Sequence, residues 1–241
     1  MAIKICLQAG HVNKGGGAPN ELATNKRIAD RLSSVLRERG FEVYQTDANG
    51  YNDPKVTGVD YDLFLALHCD MDYPNDNGSG FSDFPDADLD SNNARSKMIS
   101  TIINNTYFPE VGITYRSRSN VNTKRYYMWR YLSAKTPCVL LEMGQSIDAH
   151  DSVLLSNTDL IANGIAKSLC QVFNITTPQV DNSKSLREEI IRLNTIIEQA
   201  KTELATKLAD KDKECQQKID TLNLKFDTFK NYLVKAIQEY K

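Results

Sequence analysis

Three apolar runs of strand length each end on a side chain able to bind a metal or move a proton, and this repeated form constrains the fold more than any other feature. The clearest is Tyr61 to Asp70, YDLFLALHCD, an unbroken apolar run that stops at His68 before a polar, Gly-rich stretch. IKICLQAGH ends at His11, and PCVLLEMG carries Glu142. Short continuous apolar runs bounded by turn residues read as buried strands. In an open parallel sheet the strand carboxyl ends lie along one edge, so residues far apart in sequence meet in one crevice there. The pattern predicts an α/β protein, a three-layer domain with a mostly parallel central sheet.

The other elements follow from local signals. Ile3 to Gln8 is expected as the first strand, ended by the Gly-rich loop VNKGGGAPN. From Asn20 to Arg39, Leu22, Ile28, Ala29, Leu32, Val35 and Leu36 recur at helical spacing, with Asn20 as N-cap and Gly40 as the stop. Phe41 to Thr46 predicts a second strand, and Met71 to Asp90 a long polar loop, of a length that is usually functional inside a compact domain. Ala94 to Thr106 reads as a helix. Pro137 introduces the strand CVLLEMG, and Ser152 to Phe173 reads as the closing helix. Between them, Tyr115 to Tyr131 gathers bases and aromatics, including the sole tryptophan, Trp129.

At ITTPQVDNSKS the composition changes. Residues 1–175 are therefore the expected α/β domain, 176–185 a linker, and 186–241 a helical region without Gly or Pro. Leu186, Ile190, Leu193, Ile197, Ala200 and Leu204 keep coiled-coil spacing, and Ile219, Leu222, Phe226, Phe229, Leu233 and Ala236 form a second seam one position out of register. The expectation is a C-terminal α-helical coiled-coil region, either one long helix whose seam slips or a helical hairpin bending near Asp210 to Lys213. An amphipathic stripe of this kind needs a partner surface, which makes residues 186–241 a candidate for homo-oligomer formation or for targeting.

Charge and cysteine usage exclude several classes. With 29 basic and 31 acidic residues the net charge is -2, so no global basic field draws the chain to nucleic acid or an anionic membrane. No apolar run reaches the roughly 20 residues needed to span a bilayer, and no membrane insertion is expected. The five cysteines, Cys6, Cys69, Cys138, Cys170 and Cys215, show no CxxC spacing, and an odd count without a framework points to a reducing compartment at synthesis. MAIKICLQAGH goes straight into structure without a signal-peptide core, so synthesis in the cytoplasm without an export signal is expected.

His11, Glu21, His68 and Glu142 are the candidate site residues. Hydrolytic zinc typically takes three ligands from His and carboxylates and leaves a fourth position for water, with a separate carboxylate to move protons. His11 and His68 end neighbouring strands, Glu21 lies in the first turn of the helix that follows His11, and Glu142 comes from a third strand. Each alone has a plainer explanation: a structural histidine, a carboxylate complementing a helix dipole, a surface glutamate. Their joint placement at positions that converge is what favours a metal site. Asp70, on the same side of its strand as His68, either orients that imidazole from behind or is a loop residue. Strand alternation turns Cys69 away. Gly15 to Gly17 match neither GxGxxG nor GxxxxGK[ST], which argues against a phosphate loop, and the helix N-cap setting of His150 suits a surface role.

AGH with Asn20-Glu21 ten residues on, then DLFLALHCD and PCVLLEMG, resemble the zinc-dependent N-acetylmuramoyl-L-alanine amidases of the amidase 3 family over roughly residues 1–175. The family commonly has His-x-Asn-Ala where this chain has His68-Cys69-Asp70-Met71, and Gly-Phe where it has Gly144-Gln145; both departures spare the metal set. The resemblance implies that His11, Glu21 and His68 bind Zn2+ and that Glu142 is the catalytic base and then acid. It further implies that peptidoglycan is the substrate, cut at the amide between N-acetylmuramic acid and L-alanine. An amidase domain with an extra C-terminal module and no export signal resembles a phage or prophage endolysin, which lyses the host cell wall after release. Two other functions suit the same residues: a related zinc peptidase or deacetylase, and a non-catalytic cell-wall-binding or assembly protein working through its coiled coil.

Overall fold

The computed structural model describes residues 2–71, 78–89, 92–117, 121–176 and 182–239, with side chains in the last segment described at 199 and 201–231. In chain order the elements are β1 (Lys4–Ala9), α1 (Glu21–Glu38), β2 (Glu42–Thr46), β3 (Leu63–Asp70), β4 (Phe81–Asp83), α2 (Asn93–Val111), α3 (Val121–Lys124), β5 (Cys138–Gln145), α4 (Asp151–Ser156), α5 (Thr158–Val172) and α6 (Asn182–Glu239). The sheet runs β2-β1-β3-β5-β4, with the first four strands parallel and β4 antiparallel to β5. The chain divides into two units, Met1–Thr177 and Pro178–Lys241.

Strand alternation sorts the central strands onto two faces. Ile5, Leu7, Leu63, Leu65, Leu67, Val139 and Leu141 join Ile28, Leu32, Ile103 and Ile165 from α1, α2 and α5 in the larger core. The residues between them, Cys6, Phe64, Ala66, Cys138 and Leu140, pack in a smaller cluster with Val56, Met128 and Trp129. The second face thus carries a thin aromatic cover in place of long helices. Because β1, β3 and β5 are covered on both sides, they read as continuous apolar runs.

Four features of the first unit differ from the expectations. Asn20 stands at the start of α1, but it is left-handed (φ 64°) and its side chain makes no capping bond. Instead the Glu21 carboxylate reaches back to accept from Ala18 N–H at 2.7 Å. The expected loop from Met71 to Asp90 contains the short edge strand β4, and its residues 72–77 and 90 lie outside the described set. The helix begun at Asn93 passes Thr106 to Val111, since Tyr107, Phe108 and Val111 continue its buried face, and Gly112 (φ 80°) closes it. The closing helix is two, α4 and α5, because Asn157 leaves helical geometry and its side chain accepts from Leu160 N–H at 3.1 Å, starting a new helix.

In the C-terminal unit α6 runs uninterrupted through Asp210 to Lys213, so the chain takes the single-helix form and not the hairpin. Nothing in that stretch breaks a helix, and side-chain pairs one turn apart span it: Lys211 to Glu214 at 3.0 Å, Lys218 to Glu214 at 2.8 Å and Gln216 to Asp220 at 2.9 Å. Leu204, Leu208, Ile219, Leu222, Phe226 and Phe229 are exposed along it. The side chains of the first seam from Leu186 to Ala200 and those of Leu233 and Ala236 lie outside the described set; of the expected linker, residues 177–181 also lie outside it, and 182–185 belong to α6 instead. Among the described residues no helix is long and apolar enough to cross a membrane.

Candidate metal centre

His11 leaves the end of β1 in a left-handed turn (φ 61°), a conformation that costs a non-glycine residue about 1–3 kcal/mol and persists only where the surroundings impose it. Its carbonyl accepts from Lys14 and Gly15 N–H, both at 3.0 Å. Its Nδ1 lies 3.3 Å from the Gly15 carbonyl and donates to it, which turns Nε2 inward. Gly15, Gly16 and Gly17 all have positive φ, so the glycine run serves to wrap the loop around His11 and Glu21. A Cβ on Gly17 would collide with Glu21 Oε2 and lie 2.9 Å from His11 Cδ2. One on Gly10 would collide with the His68 ring. These two glycines are required by close approach to the candidate ligands.

Glu21, the first residue of α1, is buried and held from both sides. Its Oε2 takes the Ala18 N–H, while Oε1 accepts from Cys69 N–H at 3.1 Å and from Asn25 Nδ2 at 3.3 Å. Oε1 lies 3.4 Å from His11 Nε2 and 3.2 Å from His68 Nδ1. The two imidazoles stand edge to face, centroids 4.9 Å apart at 80°. One donor atom from each of His11, Glu21 and His68 lies within 4.8 Å of the others. Tetrahedral ligands bound at 2.0–2.1 Å stand roughly 3.3–3.4 Å from one another, so the two carboxylate-to-imidazole spacings suit one shared small cation. Protonation states agree. Burial would raise the Glu21 carboxyl, but the donors around it, the Ala18 N–H among them, outweigh it and hold it below the usual carboxylate range. Burial in turn keeps His68 below the usual imidazole range. An ionised carboxylate and a neutral imidazole are the forms that bind metal.

Glu142 is opposite His68 in the parallel register of β3 and β5, on the same sheet face and half-buried. It stands beside the three-donor group without belonging to it. Asp70 lies past an irregularity in that pairing; its Oδ1 accepts from Met71 N–H at 2.8 Å and its carbonyl from Ser146 N–H at 3.1 Å. The side chain behind His68 is Tyr126, whose hydroxyl is 3.3 Å from Nε2. Cys69 points to the helical face and is buried there. The aromatic segment is divided: Met128 and Trp129 belong to the smaller core, Tyr126 meets His68, and the Lys14 ammonium sits 3.7 Å above the Tyr127 ring. His150 precedes α4, exposed, with Nδ1 3.0 Å from Asp151 Oδ1; Asp148 and Asp151 also cap backbone N–H groups there.

Sequence reasoning did not single out Gln8, Asn25 or the separate role of Tyr126. Gln8 had a signal: a polar residue inside an apolar central strand must find partners. Asn25, one helical turn after Glu21, shares its face. Nothing local distinguished Tyr126 from Tyr127.

Comparison with known proteins gives the family and similar folds. Residues 5–171 match the family model of amidase 3, N-acetylmuramoyl-L-alanine amidase. The chain is similar in structure to the N-acetylmuramoyl-L-alanine amidase AmiC2 of Nostoc punctiforme (16% identity, TM-score 0.56, covering 71% of this chain and 97% of that one). It is similar also to the CwlD amidase from Clostridioides difficile, solved with the GerS lipoprotein (16%, 0.55, 72% and 100%). A third similar structure is the catalytic domain of the CD27L endolysin targeting Clostridia difficile (20%, 0.54, 73% and 99%). No curated protein sequence matched the chain.

Proposed function

Because the chain belongs to the amidase 3 family of N-acetylmuramoyl-L-alanine amidases, we propose that it hydrolyses the amide joining the lactyl group of N-acetylmuramic acid to L-alanine of the stem peptide, with zinc held by His11, Glu21 and His68. The observation that carries this reading is the meeting of three donor atoms within 4.8 Å, with Glu142 beside them in register with His68. Bound there, the ion supplies Lewis-acid polarisation of the scissile carbonyl and acidifies a water. The chain's own residues do the rest. Glu21 stays ionised because three N–H donors hold it, and the loop from His11 to Gly17 keeps its imidazole turned inward. Glu142 accepts a proton as the water oxygen bonds to the carbonyl carbon, and returns it to the amine nitrogen as the C–N bond breaks.

We further propose that the enzyme works as an endolysin released onto the wall of the host that made it. The support is its likeness to an endolysin catalytic domain at 20% identity, together with a second unit whose exposed apolar stripe suits self-association or wall targeting. The test is digestion of purified peptidoglycan by the full chain, with metal analysis of the same sample. Expected are stem peptides with a new alanine N-terminus, no new reducing sugar ends, and about one zinc per chain. Loss of activity on chelation, restored by zinc, is the accompanying control. New peptide N-termini within the stem, or release of acetate, would reassign the enzyme as a peptidase or a deacetylase.

A further inference from the structure

Two residues outside the donor group bear on which nitrogen of His68 carries the ring proton. Gln8 on β1 is fully buried, and its Nε2 donates to the Asp47 carbonyl at 3.0 Å, which orients the amide with Oε1 toward Tyr126. The Tyr126 hydroxyl donates its single proton to that Oε1 at 2.9 Å. With the proton committed there, the phenol oxygen can meet His68 Nε2, 3.3 Å away, only as an acceptor. That arrangement favours the ring proton on Nε2, which leaves Nδ1 to face Glu21 Oε1, 3.2 Å away, with a lone pair. Glu21 has no need of a proton from Nδ1, since Oε1 already accepts from Cys69 N–H and Asn25, and Oε2 from Ala18 N–H. A lone pair and a carboxylate oxygen facing each other at that distance are what a divalent cation reconciles.

We propose that Tyr126, held by Gln8, is a positioning residue that fixes the Nε2–H tautomer of His68 and so presents Nδ1 to the metal. Its purpose rests on the metal-centre reading above; its hydrogen-bond logic does not. The edge-to-face contact of the two rings, centroids 5.3 Å apart, adds steric control of the imidazole plane. Groups behind a ligating histidine generally fix its tautomer and orientation in this way.

The test uses the full chain labelled with 15N-histidine, as wild type, Tyr126→Phe and Gln8→Met. Ring nitrogen shifts are read in the metal-free protein, and zinc affinity by competition with a chromophoric chelator. In wild type Nε2 is expected to be protonated. Tyr126→Phe should move the proton to Nδ1, facing Glu21, and weaken zinc binding about 10- to 100-fold with unchanged circular dichroism. Gln8→Met should shift both readouts the same way, by freeing the Tyr126 proton to point at Nε2; should that buried variant not fold, Tyr126→Phe decides alone. A bare Nε2 in wild type, or a Tyr126→Phe protein with wild-type tautomer and affinity, overturns the proposal. Should wild type bind no zinc yet show an Nε2 proton that Tyr126→Phe loses, the metal reading fails and the positioning role stands. Zinc binding with a bare Nε2 in the metal-free protein would uphold the metal reading and remove the positioning role.

Discussion

At the scale of single residues, the proposed mechanism separates groups that hold an ion from a group that moves protons, and substitutions should separate them too. Glu142→Gln keeps the shape of the side chain but removes its basicity, and Glu142 is not among the three donors. The variant is expected to retain zinc and thermal stability while wall lysis falls at least about 100-fold, in line with the loss of a general base. Near-normal turbidity loss of a wall suspension would remove Glu142 from the mechanism. Gly10→Ala should do the opposite. Gly10 is not at positive φ, so the backbone tolerates alanine, but the added methyl collides with the His68 ring. Zinc affinity should drop about tenfold or more as the ring is displaced, with secondary structure intact by circular dichroism. The convergence of His11, Glu21 and His68 was legible in the sequence because each sits at or near the end of an element whose type was legible. Tyr126 was not, because its contact with His68 exists only once a segment 58 residues away folds over the strand end.

At the scale of elements, β4 shows both what sequence patterning misses and what the chain must do to keep it. Its three residues, Phe-Ser-Asp, are too few to display a period, and they follow an Asp- and Asn-rich stretch that reads as loop. As an edge strand it leaves one side of its backbone without a neighbouring strand. The Asn104 side chain on α2 takes that place: its Oδ1 accepts from Ser82 N–H at 2.8 Å and from Ser82 Oγ at 2.9 Å, and its Nδ2 donates to the Ser82 carbonyl at 3.3 Å. Asn104→Ala strands a buried N–H and should cost about 1–3 kcal/mol, read as a lower denaturant midpoint and faster amide exchange at Ser82. An unchanged midpoint would mean that water or a repacked side chain replaces the amide. The long buried strands and α1 were legible by contrast, since burial on two faces or one leaves a pattern of several repeats. The division of the first unit's closing helix at Asn157 depended on a single capping residue inside a run that otherwise reads as continuous.

At the scale of the whole molecule, the second unit carries the feature most in need of a partner. Leu222, Phe226 and Phe229 are more than half exposed on α6, and an isolated amphipathic helix gains most of its stability from covering such a face. If the seam joins copies of the chain, light scattering of the full protein will report a mass of at least two chains, and Leu222→Glu with Phe226→Glu will return it to one. A monomeric wild type would instead favour wall targeting, to be followed by binding of the same protein to purified cell wall. The helix was legible in the sequence; what covers its apolar residues was not, because a repeat specifies a surface and leaves its occupant open.

The register in which β1, β3 and β5 pair also limits how the active centre can evolve. Sliding β3 by one place would swing His68 to the helical side and bring Cys69 beside Glu142, destroying the donor group and inverting two cores in the same step. Strand drift is thus closed as a route to altered specificity. On the proposed reading, variation that survives will fall in the connecting segments, where a changed residue can alter substrate contacts while His11, Glu21 and His68 keep their places.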